Sequence, residues 1–347
     1  MTTKPEGGAA VADGTVADGA SVPAGASAEK PTPAVRKRRV PVHGVLLLDK
    51  VAGVSSNDAL IQAKRLLNAE KAGHTGTLDP FATGLLPLCF GEATKFAQDL
   101  LEADKRYETT VCLGRSTTTG DTEGDTVAIL SVDVTVAQIE AVLATFRGPI
   151  LQTPPMYSAL KRDGKPLYEY ARAGITLERE QRALVIHRLE LVDYVAPLLR
   201  LRVTCSKGTY IRVLGEDIGA ALGCGAHLQA LRRIGVGDLC LGDAMTIDAL
   251  AAIDAPVRAA SLAPVDALLM SFPVVRLDDG LARRFLQGQR LSMGKESIAV
   301  AVGACRVRVY RESDGCLLGT GRMQEFDVLA PERLVANLPG NTDAPSC

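Results

Sequence analysis

Between Gly73 and Phe96 the chain reads GHTGTLDPFATGLLPLCFGEATKF, with Asp79 in its most heavily punctuated part. Gly73, Gly76, Gly84 and Gly91, with Pro80 and Pro87, exclude one long helix here. What remains is a tight loop bearing His74, Thr75, Thr77 and Asp79, then an apolar run from Leu85 to Phe90 long enough for one buried strand. A residue before proline is driven toward extended geometry, so Pro80 fixes the backbone from which Asp79 projects its carboxylate. Aspartate can form covalent intermediates, and a loop tip backed by apolar structure is a good place to present such a nucleophile. An Asp-Pro pair also simply opens a turn. Residue types alone leave both readings open.

The elements that must position this loop can be read around it. Val45 to Leu48 predicts a buried strand, and Ser55, Ser56 or Asn57 can cap a helix with Ala59, Leu60, Ala63, Leu66 and Leu67 on one face. After the loop, Thr94 to Leu101 predicts a short helix, and Tyr107 to Leu113 a strand rich in Thr, Val and Tyr. Residues 116 to 126, STTTGDTEGDT, read as a polar loop, and Thr135 with Gln138 forms a capping box for a helix to Phe146. Gln152 to Ser158, with two prolines, should be irregular, and Asp163-Gly164 should turn ahead of a short helix over Tyr168 to Ala173. Leu199 to Ser206 alternates: Leu199, Leu201, Val203 and Cys205 on one face, Arg200, Arg202, Thr204 and Ser206 on the other. That implies a sheet with one wet, basic face. A helix from Tyr210 to Leu222 carries Arg212 near its start.

Strands and helices interleave without a regular βαβ period, so an α+β fold is expected. The 347 residues, 47% hydrophobic, can bury a sizeable core in two domains, and the net charge of -1 leaves any polyanion binding to charge distribution. Eight cysteines without C-x-x-C spacing indicate neither a zinc site nor a disulfide framework, which fits a reducing cytosol. No apolar stretch approaches the ~20 residues of a membrane span, and no signal peptide is evident. Residues 1–40 read as a disordered Ala/Gly/Pro-rich tail ending in the basic cluster Arg36 to Arg39, which is either a solubilising charge run or an RNA-touching arm. A main domain is expected over 41–265. A small β-rich module over 270–340 should contain strands at Val274 to Leu277, Ile298 to Val302, Cys305 to Tyr310 and Cys316 to Thr320, with Arg306 and Arg308 projecting from one face.

The central block resembles the catalytic motif of the TruB family of tRNA pseudouridine synthases, over more than twenty contiguous positions. Further blocks resemble the same family in the same order: GVLLLDK at 44 to 50, DKRY at 104 to 107, MYSALK at 156 to 161, SKGTYIR at 206 to 212 and CGAHLQALRR at 224 to 233. Val51 stands where the family's first motif usually has proline. The resemblance implies a mixed, largely antiparallel pseudouridine-synthase sheet flanked by helices, with a PUA-like RNA-binding module after it. It implies isomerisation of uridine to pseudouridine at position 55, in the T-loop of tRNA, by base flipping, because a carboxylate cannot reach the glycosidic bond of a stacked nucleotide. By that resemblance Asp79 is the nucleophile, attacking either the sugar carbon or the base ring. Tyr107 stacks on the flipped base and can take a sugar proton, and Arg212 pairs with Asp79 and keeps it ionised. Tyr210 and Leu231 line the uridine pocket, His74 contacts RNA, and Lys50 supports the site or binds substrate. No cofactor or metal is implied, and the partner is the T-arm of tRNA. No membrane or protein partner is implied, and a cytoplasmic monomer is expected. The competing expectation is a non-catalytic RNA-binding or tRNA-folding protein of the same fold. A lone carboxylate in a basic cleft repels phosphates, which favours chemistry over mere binding.

Overall fold

The computed structural model describes residues 38–296, 298 and 303–335. The tail expected over residues 1–35 lies outside the described residues, as do Arg36, Lys37 and all but Ile298 of the strand expected over 298–302.

The first half of the chain builds the site's frame. Strand β1 (Gly44–Lys50) leads to helix α1 (Ser56–Leu66), whose N-cap Ser55 accepts a hydrogen bond from the Asp58 amide and whose Ala59 and Ala63 face the core. Short β2 (Ala72–His74) precedes the Asp79 loop, and β3 (Thr83–Phe90) follows it, buried from Gly84 onward as its unbroken apolar run requires. A 3-10 turn over Gly91–Phe96 runs into helix α2 (Ala97–Glu102), so the helix expected over 94–101 is present in two pieces. Strand β4 (Lys105–Leu113) alternates buried and half-buried residues along its whole length, with Tyr107 on the buried face.

The segment expected as a plain polar loop instead begins and ends as a hairpin, β5 (Arg115–Thr117) with β6 (Thr126–Ile129). Helix α3 (Val136–Thr145) starts at the full Thr135/Gln138 capping box. Strand β7 (Gly148–Gln152) is followed by irregular backbone and the small hairpin β8 (Lys161–Arg162) and β9 (Lys165–Pro166), turned by Asp163 and Gly164 at positive φ. Helix α4 (Leu167–Arg172), the long pair β10 (Arg182–Val195) and β11 (Leu198–Cys205), helix α5 (Ile211–Ala221) and β12 (Ala226–Val236) complete the set.

These strands form one sheet in the order β1-β3-β12-β4-β11-β10-β7. All neighbours are antiparallel except β3 and β12, which run parallel at Thr83 and Gly84. Strand β1 occupies one edge of β3 over its length, so β12 at its start and β2 at its end share the other. The loop joining β2 to β3 therefore emerges where the sheet forks, and it carries Asp79. Leu199, Leu201, Val203 and Cys205 of β11 are buried as the alternation required, and the same core takes in Val111 of β4 and Leu214 of α5. The opposite face is not simply basic, since Arg202 is paired with Glu108 across the β4–β11 boundary at 2.6 Å.

After the short β13 (Leu239–Cys240), helix α6 (Ile247–Ala252) and three 3-10 turns, the chain forms a second sheet. Its strands are β14 (Val274–Leu277), β15 (Leu291–Ser292), β16 (Arg306–Arg311), β17 (Leu317–Gln324) and β18 (Val328–Leu334), ordered β14-β16-β17-β18-β15, with helix α7 (Asp279–Leu286) packed on them. Arg306 and Arg308 do share a face of β16, but neither projects freely. Arg306 binds Asp99 at 2.7 Å and Glu332 at 2.6 Å, and Arg308 donates to the Phe272 carbonyl at 3.0 Å.

Candidate active site

Asp79 is held by its neighbours on both sides. The buried Ser56 hydroxyl accepts from the Leu78 amide at 2.8 Å and lies 2.9 Å from the Leu78 carbonyl, tying the residue before Asp79 to the first turn of α1. On the other side, the Pro80 carbonyl accepts from the Gly53 amide at 2.9 Å and the Lys50 ammonium at 3.1 Å. Lys50 is 2% exposed and spends its remaining donors on the carbonyls of Val51 and Val54. Removal from water pushes its ammonium down to about 8, against the attraction of Asp79 and Glu123.

Facing Asp79 is Arg212, on the first turn of α5. The buried Gln152 amide brackets the start of that helix, donating to the Tyr210 carbonyl at 3.1 Å and accepting from its amide at 2.8 Å. The Arg212 guanidinium is almost wholly buried and divides its donors: Nε to Asp79 Oδ2 at 2.8 Å, Nη1 to the Thr119 carbonyl at 2.7 Å and Nη2 to the Tyr157 carbonyl at 2.6 Å. Buried Asp121 stands 3.5 Å from the same Nε, so two carboxylates share one cation. The carbonyl contacts fix the fork, and Asp79, which keeps 35% of its side chain exposed, is the carboxylate that looks into open space.

That space is a cavity of about 360 Å³ lined by Asp79, Tyr107, Tyr210, Arg212, Leu231 and Arg233, with further walls from Leu101, Lys105 and the 206–209 turn. Five residues named from the sequence meet here: Asp79, Tyr107, Tyr210, Arg212 and Leu231. Burial raises the phenols of Tyr107 and Tyr210 above the usual tyrosine range. Lys50 and His74 do not line the cavity. Lys50 lies behind the loop. His74 sits on β2, with its imidazole pushed toward the neutral form by burial and by the Arg233 charge.

The sequence reading passed over Asp121 and Arg233. Asp121 stood in a run of Thr, Gly and Asp that looks like any turn. Arg233 was legible in principle, because it is two residues from Leu231 on one strand and must share its face.

The fold is similar to that in the crystal structure of a Cbf5-Nop10-Gar1 complex, with a TM-score of 0.66 at 26% identity, covering 88% of each chain. It is likewise similar to a chain in the structure of an H/ACA RNP bound to a substrate RNA containing 2'-deoxyuridine, with a TM-score of 0.65 at 25% identity, covering 87% of each chain. The large mixed sheet, with a carboxylate-arginine pair in a cavity at its fork, is thus a pseudouridine-synthase fold. Three family models match in succession: the TruB family pseudouridylate synthase N-terminal domain over residues 64–211, the tRNA pseudouridylate synthase B C-terminal domain over 212–270, and the pseudouridine synthase II TruB C-terminal domain over 273–335. Among relatives, the tRNA pseudouridine synthase B of Burkholderia mallei (strain ATCC 23344) is 62% identical over 305 residues, covering 88% of this chain and 97% of the relative. That of Cupriavidus metallidurans is 58% identical over 310 residues, covering 87% and 98%. The chain belongs to the TruB family of pseudouridine synthases.

Proposed function

We propose that this protein converts uridine to pseudouridine in the T-loop of tRNA, at position 55, acting as a cytoplasmic monomer with Asp79 as its nucleophile. The reaction is an isomerisation and balances within the nucleoside: the bond from the sugar C1' to N1 of uracil breaks, a bond from C1' to C5 forms, the C5 proton leaves and N1 gains a proton. Asp79 holds an intermediate while the uracil turns. Arg212 fixes the carboxylate's direction, which converts a chance encounter into a positioned attack. Tyr107, buried at the cavity wall, offers a ring on which a flipped base can stack, with Leu231 and Tyr210 completing an apolar enclosure. Lys50 acts from behind by fixing the Asp79-Pro80 peptide, and His74 touches RNA outside the cavity. Residues 41–265 supply the chemistry and 270–340 form the PUA-like module.

The observation that carries this reading is the 2.8 Å contact between Asp79 and a buried arginine at a cavity lined by Tyr107, Tyr210 and Leu231. A protein that only bound RNA gains nothing from a carboxylate there. The test is Asp79→Asn, which keeps the shape and removes the attacking charge. With folding verified by circular dichroism, the variant should bind unmodified tRNA within a few-fold of the wild-type affinity and form no pseudouridine by mass spectrometry. Wild-type turnover in that variant would refute the role of Asp79.

A further inference from the structure

Arg233 is one of the largest wholly buried side chains of the molecule, 2% exposed, yet it borders the open cavity. Its donors reach both flanks of the loop that bears Asp79. Nε donates to the Leu85 carbonyl at 2.8 Å, on the strand leaving the loop, while Nη1 and Nη2 approach the carbonyls of Thr77 and Gly76 at 3.4 and 3.5 Å, on the segment entering it. In the β12–β4 register Arg233 lies directly opposite Tyr107, and its charge opposes the upward push of burial on the Tyr107 phenol. On the other edge of its strand Arg233 pairs with Gly84 of β3, in the short parallel stretch of the sheet.

We infer that Arg233 is a positioning residue for the isomerisation: a single buried guanidinium that spans the Asp79 loop from Gly76 to Leu85 and sits across the strand pair from Tyr107, so that nucleophile and stacking ring keep one fixed separation. The physical argument is economy of donors in a dry place. A guanidinium costs much to bury and stays charged, so it persists where planar, directed donors serve several acceptors at once. Here the acceptors are the carbonyls of Gly76 and Thr77 in the loop and of Leu85 near the start of β3, close to where the sheet forks. Arg212 fixes the Asp79 carboxylate itself, whereas Arg233 fixes the peptide framework that carries it. A lysine would keep the charge near Tyr107 but could not span carbonyls on both sides of the loop.

This inference rests on the roles proposed above for Asp79 and Tyr107. Its test compares Arg233→Lys and Arg233→Gln in the full-length protein, measuring tRNA affinity by filter binding and the single-turnover rate with saturating enzyme. Misplacing a reacting group by ~1 Å costs about 100-fold in rate, so Arg233→Gln should be slower by about that factor and Arg233→Lys by about tenfold. Both should bind tRNA within about threefold of wild type, the pattern of an interaction that matters in the transition state. A merely structural role predicts that the folded variants react normally, or that rate and affinity fall together, and either result overturns the inference. Should Arg233→Gln fail to fold, Arg233→Lys decides: about tenfold slower turnover at unchanged affinity supports the clamp, and the wild-type rate overturns it. Active Arg233 variants beside an inactive Asp79→Asn would sink only this inference, whereas an active Asp79→Asn would sink the reading on which it rests.

Discussion

Burial makes Lys50 costly as a cation, and three backbone carbonyls are what it receives in return. Because its folded pKa is lowered to about 8 from 10.5, the folded chain binds fewer protons than the unfolded chain between those values. Stability therefore rises with pH through that window as far as this group is concerned. Lys105, lowered by burial to about 8 while capping the carbonyls of Leu101 and Ala103, contributes in the same direction. The expected outcome is that the stability of wild type relative to Lys50→Met increases between about pH 7 and about pH 10, read by urea unfolding at each pH. A relative stability that falls over this range would show that Lys50 is not held down by burial. Asp79, Tyr107, Tyr210, Arg212 and Leu231 could be named from the sequence because family resemblance marked their motifs. Asp121 could not, because its burial depends on Arg212, which is remote in sequence.

The elements were legible wherever one local rule decided them. The apolar run of β3, the alternation of β11, the Ser55 cap and the Thr135/Gln138 box each became what the pattern predicts. Elements fixed by tertiary pairing escaped. Strand β12 mixes His, Gln and Arg with Leu and declares itself only by lying between β3 and β4, and β18, with its internal Pro331, reads as a loop until β17 pairs with it. Helix α7 was also missed, although Asp278 accepts from the Leu281 amide as an ordinary N-cap. Gly84 shows why the fork in the sheet depends on its sequence. It sits at φ +101, and a Cβ there would lie 2.3 Å from the Arg233 carbonyl oxygen, on backbone that cannot swing away. Gly84→Ala should thus cost about 3 kcal/mol or more, combining a strained backbone with a clash. The measurement is the shift in urea midpoint, and a loss below about 0.5 kcal/mol would mean that β3 and β12 can part without consequence.

At the scale of the whole molecule, a separate C-terminal module suggests that its loss should weaken RNA binding and spare chemistry. The packing argues otherwise. Leu317 of β17 and Val335, just past β18, share a buried cluster with Leu85 and Cys89 of β3, Phe96 of the 3-10 turn and Leu100 of α2. Asp99, on α2, binds Arg306 at 2.7 Å and Arg333 at 2.8 Å, and the Lys95 ammonium donates to the Leu334 carbonyl at 2.8 Å. The helix so gripped delivers Leu101 to the cavity wall, and its Glu102 pairs with Lys207 beside the 206–209 turn that lines the same cavity. A chain ending at Leu269 would leave Asp99 without both arginines and expose the apolar side of that helix to water. Unpaired and partly buried, Asp99 alone costs on the order of 2 kcal/mol. The truncated protein should therefore melt at a lower temperature and lose kcat as well as affinity, because the wall at Leu101 loosens. Steady-state kinetics on the folded fraction, defined by circular dichroism, separate the possibilities. A raised KM with kcat intact would show that the second sheet acts on RNA alone, and that the grip on α2 does not reach the cavity.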